Sequence, residues 1–235
     1  MLLIGRNAVY EALRSVVTVE KVLILKDAPN LNAKPIADLC REKKIPVQYV
    51  DRRVLDKLSA GENHRGFIGI ATDYSYCDYE ELFTKDDLML LLLDGIEDPH
   101  NLGAIIRSAE CAGADGIIIP RRRCCGVTDT VIKVSCGAAS HVKIAKVNNL
   151  NDVIRDLKDR NVRVLAADMD GENVFDADLT GPLALVIGSE GNGVHSLTRK
   201  LCDGAVSLPQ KGKINSLNAS VAAGIMLYEC VRQRG

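Results

Sequence analysis

Hydrophobic residues along this chain switch between helical spacing and short unbroken runs. In the first third, Ala8, Val9, Ala12 and Leu13 share one face of a helix predicted over 5–14, and Val22 to Leu25 reads as a buried strand. The alternation continues with a helix over Ala33 to Lys44 closed by Pro46, a strand over Val47 to Val50, a short helix over Arg53 to Leu58 and a strand over Phe67 to Ala71. Residues 73–87 are polar, carry Tyr74, Tyr76 and Tyr79, and end on Asp86 and Asp87, the pattern of a linker. Beyond it, strands at 88–93, 116–119, 142–144, 162–166 and 183–187, with another at Val206, alternate with helical patterns. Runs apolar on both faces and spaced in this way predict a mostly parallel sheet covered on each side. A last helix is predicted over Ser216 to Arg232. Its Ala219, Ala222, Ala223 and Gly224 allow close backbone approach, either within the chain or at a dimer seam.

Composition narrows the classes. With 235 residues, 47% of them hydrophobic, the chain can bury one large or two small cores, which excludes disorder and coiled coil. Thirty basic against 31 acidic residues give a net charge of -1, so any contact with nucleic acid must come from local patches. The longest apolar run, 88–93, stops at Asp94 and is too short for a bilayer, and the protein is expected to be soluble and cytoplasmic. The 8 cysteines form no CxxC set, so reduced thiols and no metal site are expected. The absence of tryptophan disfavours a stacking platform for single strands.

Three loops at strand ends are unusual, and in open α/β sheets ligands sit at the carboxyl ends of strands. After the 88–93 strand, Asn101 is placed to cap a helix whose buried stripe is Leu102, Ile105, Ile106 and Ala109. Arg107 lies off that stripe and reads either as a solvated arginine or as a functional one. After the 183–187 strand comes GSEGNGV, with glycines 188, 191 and 193 around Glu190; it is neither GxGxxG nor a Walker loop, and reads as a turn or a site. The third loop sets Lys211 and Lys213 beside Ser216 and Asn218, either solvated or facing an anion.

Taken together, DPHNLGAIIRSAECAG at 98–113, ALVIGSEGNGV at 184–194 and LPQKGKINSLNASVAAGIMLYE at 208–229 resemble, in order and spacing, the three signature motifs of the SpoU (TrmH-type) RNA 2′-O-ribose methyltransferases. The resemblance extends through VIKVSCGAASHVKIAKV and HRGFIGI and covers nearly the whole chain. Its nearest branch modifies a guanosine of large-subunit ribosomal RNA. It implies an α/β fold with a small N-terminal RNA substrate-binding domain (1–72), a linker (73–87) and a knotted SpoU methyltransferase domain (88–235). It further implies S-adenosyl-L-methionine as cofactor, a trefoil knot that general topology rules would not predict, and a homodimer through the C-terminal domain. RNA is the implied partner, with no DNA or membrane.

Position by position, the resemblance assigns catalysis to Asn101, Arg107, Glu190, Ser216 and Asn218, and the cofactor to Gly188, Leu208, Leu217, Ala167 and Ile187. Gln210 and Lys211 depart from the pattern at the rim of the cofactor loop. A guanidinium is too weak an acid to act as a base, so Arg107 is expected to grip phosphate and stabilise the developing alkoxide. His100 is a conceivable proton acceptor or a simple turn residue. RNA contacts are expected from Arg52 and Arg53, His64 and Arg65, Arg121, Arg122 and Arg123, and Lys211 and Lys213. The rival readings are a transfer-RNA methyltransferase of the same family, a non-catalytic RNA-binding protein on this scaffold, and a nucleotide-binding α/β enzyme.

Overall fold

A computed structural model describes residues 1–14, 17–26, 32–72, 74–213 and 216–235, which divide into two compact units, 1–75 and 76–235. In the first, β1 (Leu2–Ile4), α1 (Arg6–Arg14), β2 (Thr18–Leu25), α2 (Lys34–Glu42), β3 (Val47–Val50), α3 (Arg52–Ser59) and β4 (Phe67–Thr72) follow in order. The strands form a mixed sheet, β1-β4-β2-β3, in which only β2 and β3 run parallel. Val9 and Leu13 of α1 and Ile36 and Cys40 of α2 pack on Val22, Ile24 and Phe67. Strand β1 escapes sequence patterning because three residues at a sheet edge carry no periodic signal.

The second unit contains β5 (Met89–Asp94), α4 (Pro99–Cys111), β6 (Gly116–Pro120), α5 (Asp129–Val134), β7 (Ile144–Val147), α6 (Leu150–Asp159), β8 (Arg163–Asn173), β9 (Leu183–Gly188), α7 (Ser196–Leu201), β10 (Gly204–Ser207) and α8 (Ala219–Arg234). Its six strands are all parallel, in the order β10-β8-β9-β5-β6-β7. Successive side chains of a strand point to opposite faces. Leu90 and Leu92 of β5 therefore join the cluster of Leu150, Val153, Ile154 and Leu157 under α6, while the equally buried Leu91 and Leu93 turn to the other side. On the other side, α4 packs against α5 and α8.

Four expectations shift. From Tyr76 onward the expected linker is folded into the second unit: Cys77 pairs with Ala145, the Tyr76 hydroxyl accepts the Val127 N–H at 2.8 Å, and Leu82, in the 3-10 turn Tyr79–Leu82, is fully buried. The strand expected at 142–144 pairs instead over Ile144–Val147, because the backbone leaves the turn at 138–140 only at Val142. Strand β8 runs on through the polar DMDGEN, which pairs with β10 across a register shift at Ala205/Val206. Helix α8 begins at Ala219 rather than Ser216, because the Asn218 carboxamide oxygen accepts the N–H groups of Ser220 and Val221 and caps the first turn.

Candidate active site

The three sequence loops converge at the carboxyl ends of the parallel strands. Asp94 closes β5, and the chain then turns at Gly95 into α4, whose N-cap is Asp98 and not Asn101: the Asp98 carboxylate accepts the His100 N–H at 2.9 Å. Asn101, freed from capping, lies inside the first turn and donates its amide to Glu190 Oε1 at 2.9 Å. Asn218 donates to Asn101 Oδ1 at 2.9 Å and also to Glu190 Oε1. Asn101 and two predicted residues 89 and 117 positions away from it, Glu190 and Asn218, thus close a polar triangle. Glu190 collects the two amides, and the Asn218 oxygen stays on the α8 cap.

The glycine loop has a steric reason. Ser189 and Gly193 exchange backbone hydrogen bonds of 3.1 and 2.9 Å, so residues 188–194 double back tightly. A Cβ on Gly188 would stand 2.0 Å from the Gly193 carbonyl carbon, and Gly191 and Gly193 have φ of 85° and 63°. This hairpin roofs a cleft of about 460 Å³. Ala167, Ile187, Gly188, Leu208 and Leu217, all five residues expected at the cofactor, line it, with Ser216, Gln210 and Met226. The lining fits S-adenosylmethionine: apolar walls from Ala167, Ile187, Leu208 and Leu217 suit the adenine ring, and the Glu190 carboxylate complements its positive charge.

A second cavity, about 340 Å³, adjoins the triangle and is lined by Glu97, Asp98, Asn101, Arg123, Glu190 and His195 among others. Arg107 makes no hydrogen bond or ion pair to the triangle. It is exposed two turns further along α4 and donates to Cys136 Sγ at 3.4 Å. Of the expected RNA-contact residues, Arg52, Arg53, Arg65, Arg122, Arg123, Lys211 and Lys213 are exposed and Arg121 is half-buried. His64 is a correction: it is buried, its Nδ1 accepts the Gly66 N–H at 3.0 Å and its Nε2 meets Asp56 at 2.9 Å, so the ring braces the turn before β4 instead of facing RNA. None of the eight cysteines is in a disulfide, and burial pushes the thiols of Cys40, Cys202 and Cys230 up to about 11. Among the described residues no His, Cys, Asp and Glu group could hold a metal ion, and no helix is long and apolar enough to cross a membrane.

Sequence reading missed one pair. The carboxylate of Asp94, nearly buried, accepts the backbone N–H of His195 at 2.9 Å and meets its ring Nδ1 at 2.8 Å. The available signal was an acid ending the otherwise apolar run 88–93. Its partner, 101 positions away, carries no local pattern.

Residues 88–228 match the SpoU rRNA Methylase family, and residues 2–77 match the RNA 2′-O ribose methyltransferase substrate-binding family. The chain is 40% identical over 237 residues to YacO of Bacillus subtilis, named for the TrmH family of tRNA/rRNA methyltransferases, covering 98% of this chain and 95% of that protein. It is 41% identical to the 23S rRNA (guanosine-2′-O-)-methyltransferase RlmB of Haemophilus influenzae, covering 91% and 89%. The SpoU methyltransferase AviRb of Streptomyces viridochromogenes, solved in complex with AdoMet, superposes with a TM-score of 0.64 at 26% identity, over 99% of this chain and 90% of that one.

Proposed function

Because this chain belongs to the SpoU rRNA methylase family and is an S-adenosylmethionine-dependent RNA methyltransferase, we propose that it methylates the ribose 2′-oxygen of a guanosine in large-subunit ribosomal RNA. The observation that carries this reading is the junction of the Asn101–Glu190–Asn218 triangle with the apolar cleft, both of which Glu190 lines. The similarity to RlmB supports ribosomal RNA over transfer RNA.

When bound, S-adenosylmethionine supplies an electrophilic methyl group on a positively charged sulfur. The chain's part is to hold the ribose hydroxyl in line and about 3 to 3.5 Å away. Asn101, on the cavity that Glu190 shares with the cleft, has a second amide hydrogen to orient the hydroxyl, and Glu190 and Asn218 hold its carboxamide in place. Ser216 adds a hydroxyl on the cleft wall. Ala167, Ile187, Gly188, Leu208 and Leu217 hold the cofactor. Arg107, exposed and off the triangle, grips a substrate phosphate through its planar fork.

Residues 1–72 are read as the RNA substrate-binding domain, with Arg52, Arg53 and Arg65 as phosphate contacts, and residues 88–235 as the methyltransferase domain. A homodimer through the second unit is supported by α8, which leaves Val221 and Tyr228 49% and 54% exposed on one stripe with Ile225. The trefoil knot stays with this reading. Its support is the path of the chain, which leaves the central β9 for the edge strand β10 and returns as α8 onto α4. A cytoplasmic location follows from a ribosomal RNA substrate.

The test is a map of ribose methylation in large-subunit ribosomal RNA and in transfer RNA from cells lacking this protein. One guanosine loses its 2′-O-methyl group and regains it when the wild-type chain is restored. An unchanged map, or a loss confined to transfer RNA, refutes the reading.

A further inference from the structure

Beside the active site lies a cavity of about 390 Å³ at the carboxyl ends of β5, β6 and β7, in which Arg122 and Arg123, expected above to meet RNA, stand with polar side chains given no role so far. Arg122, Arg123, Asn148, Asn151, His195 and Thr198 are on its wall. Arg123 and His195 also line the cavity that adjoins Asn101 and Glu190, so the two spaces share a partition.

The chemistry of this wall is one-sided. Arg122 and Arg123 are exposed, and among the described residues neither makes an ion pair or a side-chain hydrogen bond. In the same unit Arg155, Arg160, Arg163, Arg199, Arg232 and Arg234 each hold a carboxylate. The one acid on the wall, Asp94, is spent on His195, whose Nδ1 and backbone N–H it holds, leaving the ring Nε2 as the free nitrogen. Asn151 accepts the Thr198 hydroxyl on its Oδ1 at 3.1 Å and keeps its amide hydrogens for a ligand. Asn148 is exposed and makes no side-chain hydrogen bond among the described residues.

Two unpaired guanidinium groups suit a phosphodiester, and carboxamides with an imidazole supply the mixed donors and acceptors that an unstacked base edge requires. We propose that this cavity seats the nucleotide next to the methylated one, with its phosphate on Arg122 and Arg123 and its base against Asn148, Asn151 and His195. The assignment rests on the reading that the target ribose lies at Asn101, Glu190 and Asn218. It adds a subsite that holds the RNA strand on the far side of the His195–Arg123 partition.

The test uses the full chain and a ten-nucleotide single-stranded RNA of mixed sequence carrying 4-thiouridine. Irradiation crosslinks the wild type within 148–151 and 195–198, mapped by mass spectrometry, and Arg122→Gln with Arg123→Gln abolishes those crosslinks. That double variant lowers the slope of log affinity against log salt by about 0.7, the share of one phosphate on a single strand. Asn148→Ala weakens binding about fivefold and leaves the slope unchanged, as expected for one lost base contact. S-adenosylmethionine affinity, measured by calorimetry, stays at the wild-type value in every variant and reports that the fold is intact. Absence of crosslinks at 148–151 in the wild type, or a slope unmoved by the double substitution, overturns the proposal. Because crosslinking needs no methyl transfer, an error in the assigned target RNA leaves these outcomes untouched.

Discussion

The two ends of the six-stranded sheet are built on opposite principles. At the amino ends of the strands, charges are paired and committed. Arg160 joins Asp156 and Glu80 and lies 4.1 Å over the Phe83 ring, Lys85 meets Asp115 at 2.9 Å, and Arg234 reaches Asp87 and the carbonyl oxygens of Leu179 and Gly181. At the carboxyl ends, beside the internally bonded triangle and the Asp94–His195 pair, Arg122 and Arg123 keep their guanidinium groups free among the described residues. The difference teaches where to look for chemistry. A surface that satisfies its own charges is holding the fold, and one that leaves donors unspent is waiting for a ligand.

The largest break in this contrast is expected from Gly188→Ala. The added methyl meets the Gly193–Val194 backbone at 2.0 to 2.2 Å, and relieving such a clash costs about 3 kcal/mol or more. Calorimetry with S-adenosylmethionine shows binding lost, while circular dichroism still shows the folded sheet.

Asn218→Asp comes next. It preserves the oxygen that caps α8 but replaces the amide facing Glu190 with a second negative charge. Methyl transfer falls about a hundredfold with little change in melting temperature. Asn218→Ala, which also deletes the cap, costs about 1 kcal/mol in addition. Arg107→Lys retains the charge and loses the fork, so single-turnover methyl transfer drops about tenfold with cofactor affinity unchanged.

At the opposite end the outcomes invert. Arg160→Ala removes partly exposed pairs and lowers stability by about 1 kcal/mol, with methyl transfer intact. Glu229 is the pH-sensitive member of this end: hydrogen bonds from Arg232 and Gln233 hold its carboxyl down to about 2. A depressed carboxylate stabilises the fold above its ordinary value of 4.5, and that contribution is lost as the pH falls through about 2. The unfolding midpoints of wild type and Glu229→Gln therefore differ at pH 6 and converge on acidification toward pH 2.

The same contrast explains what could be read from the sequence. Strands such as Leu88 to Leu93 announce themselves because burial on both faces leaves an unbroken apolar run. The 76–87 stretch did not, because its folded state depends on Leu82 and on tyrosine hydroxyls that find distant partners such as Asp156. Asn101, Glu190 and Asn218 were legible through the motif resemblance, whereas the shift of the α4 cap to Asp98 needed coordinates. The Asp94–His195 pair was invisible because hydrogen bonds between remote loops leave no periodic trace.

The central claim is that segments from three remote loops form one cofactor-binding, methyl-transferring pocket. Methyl-resolved NMR of the full chain titrated with S-adenosylmethionine tests it most directly. The account predicts shifts at Ala167, Ile187, Leu208 and Leu217 with Leu55, Leu82 and Leu157 unmoved; shifts centred away from those four methyl-bearing residues contradict it.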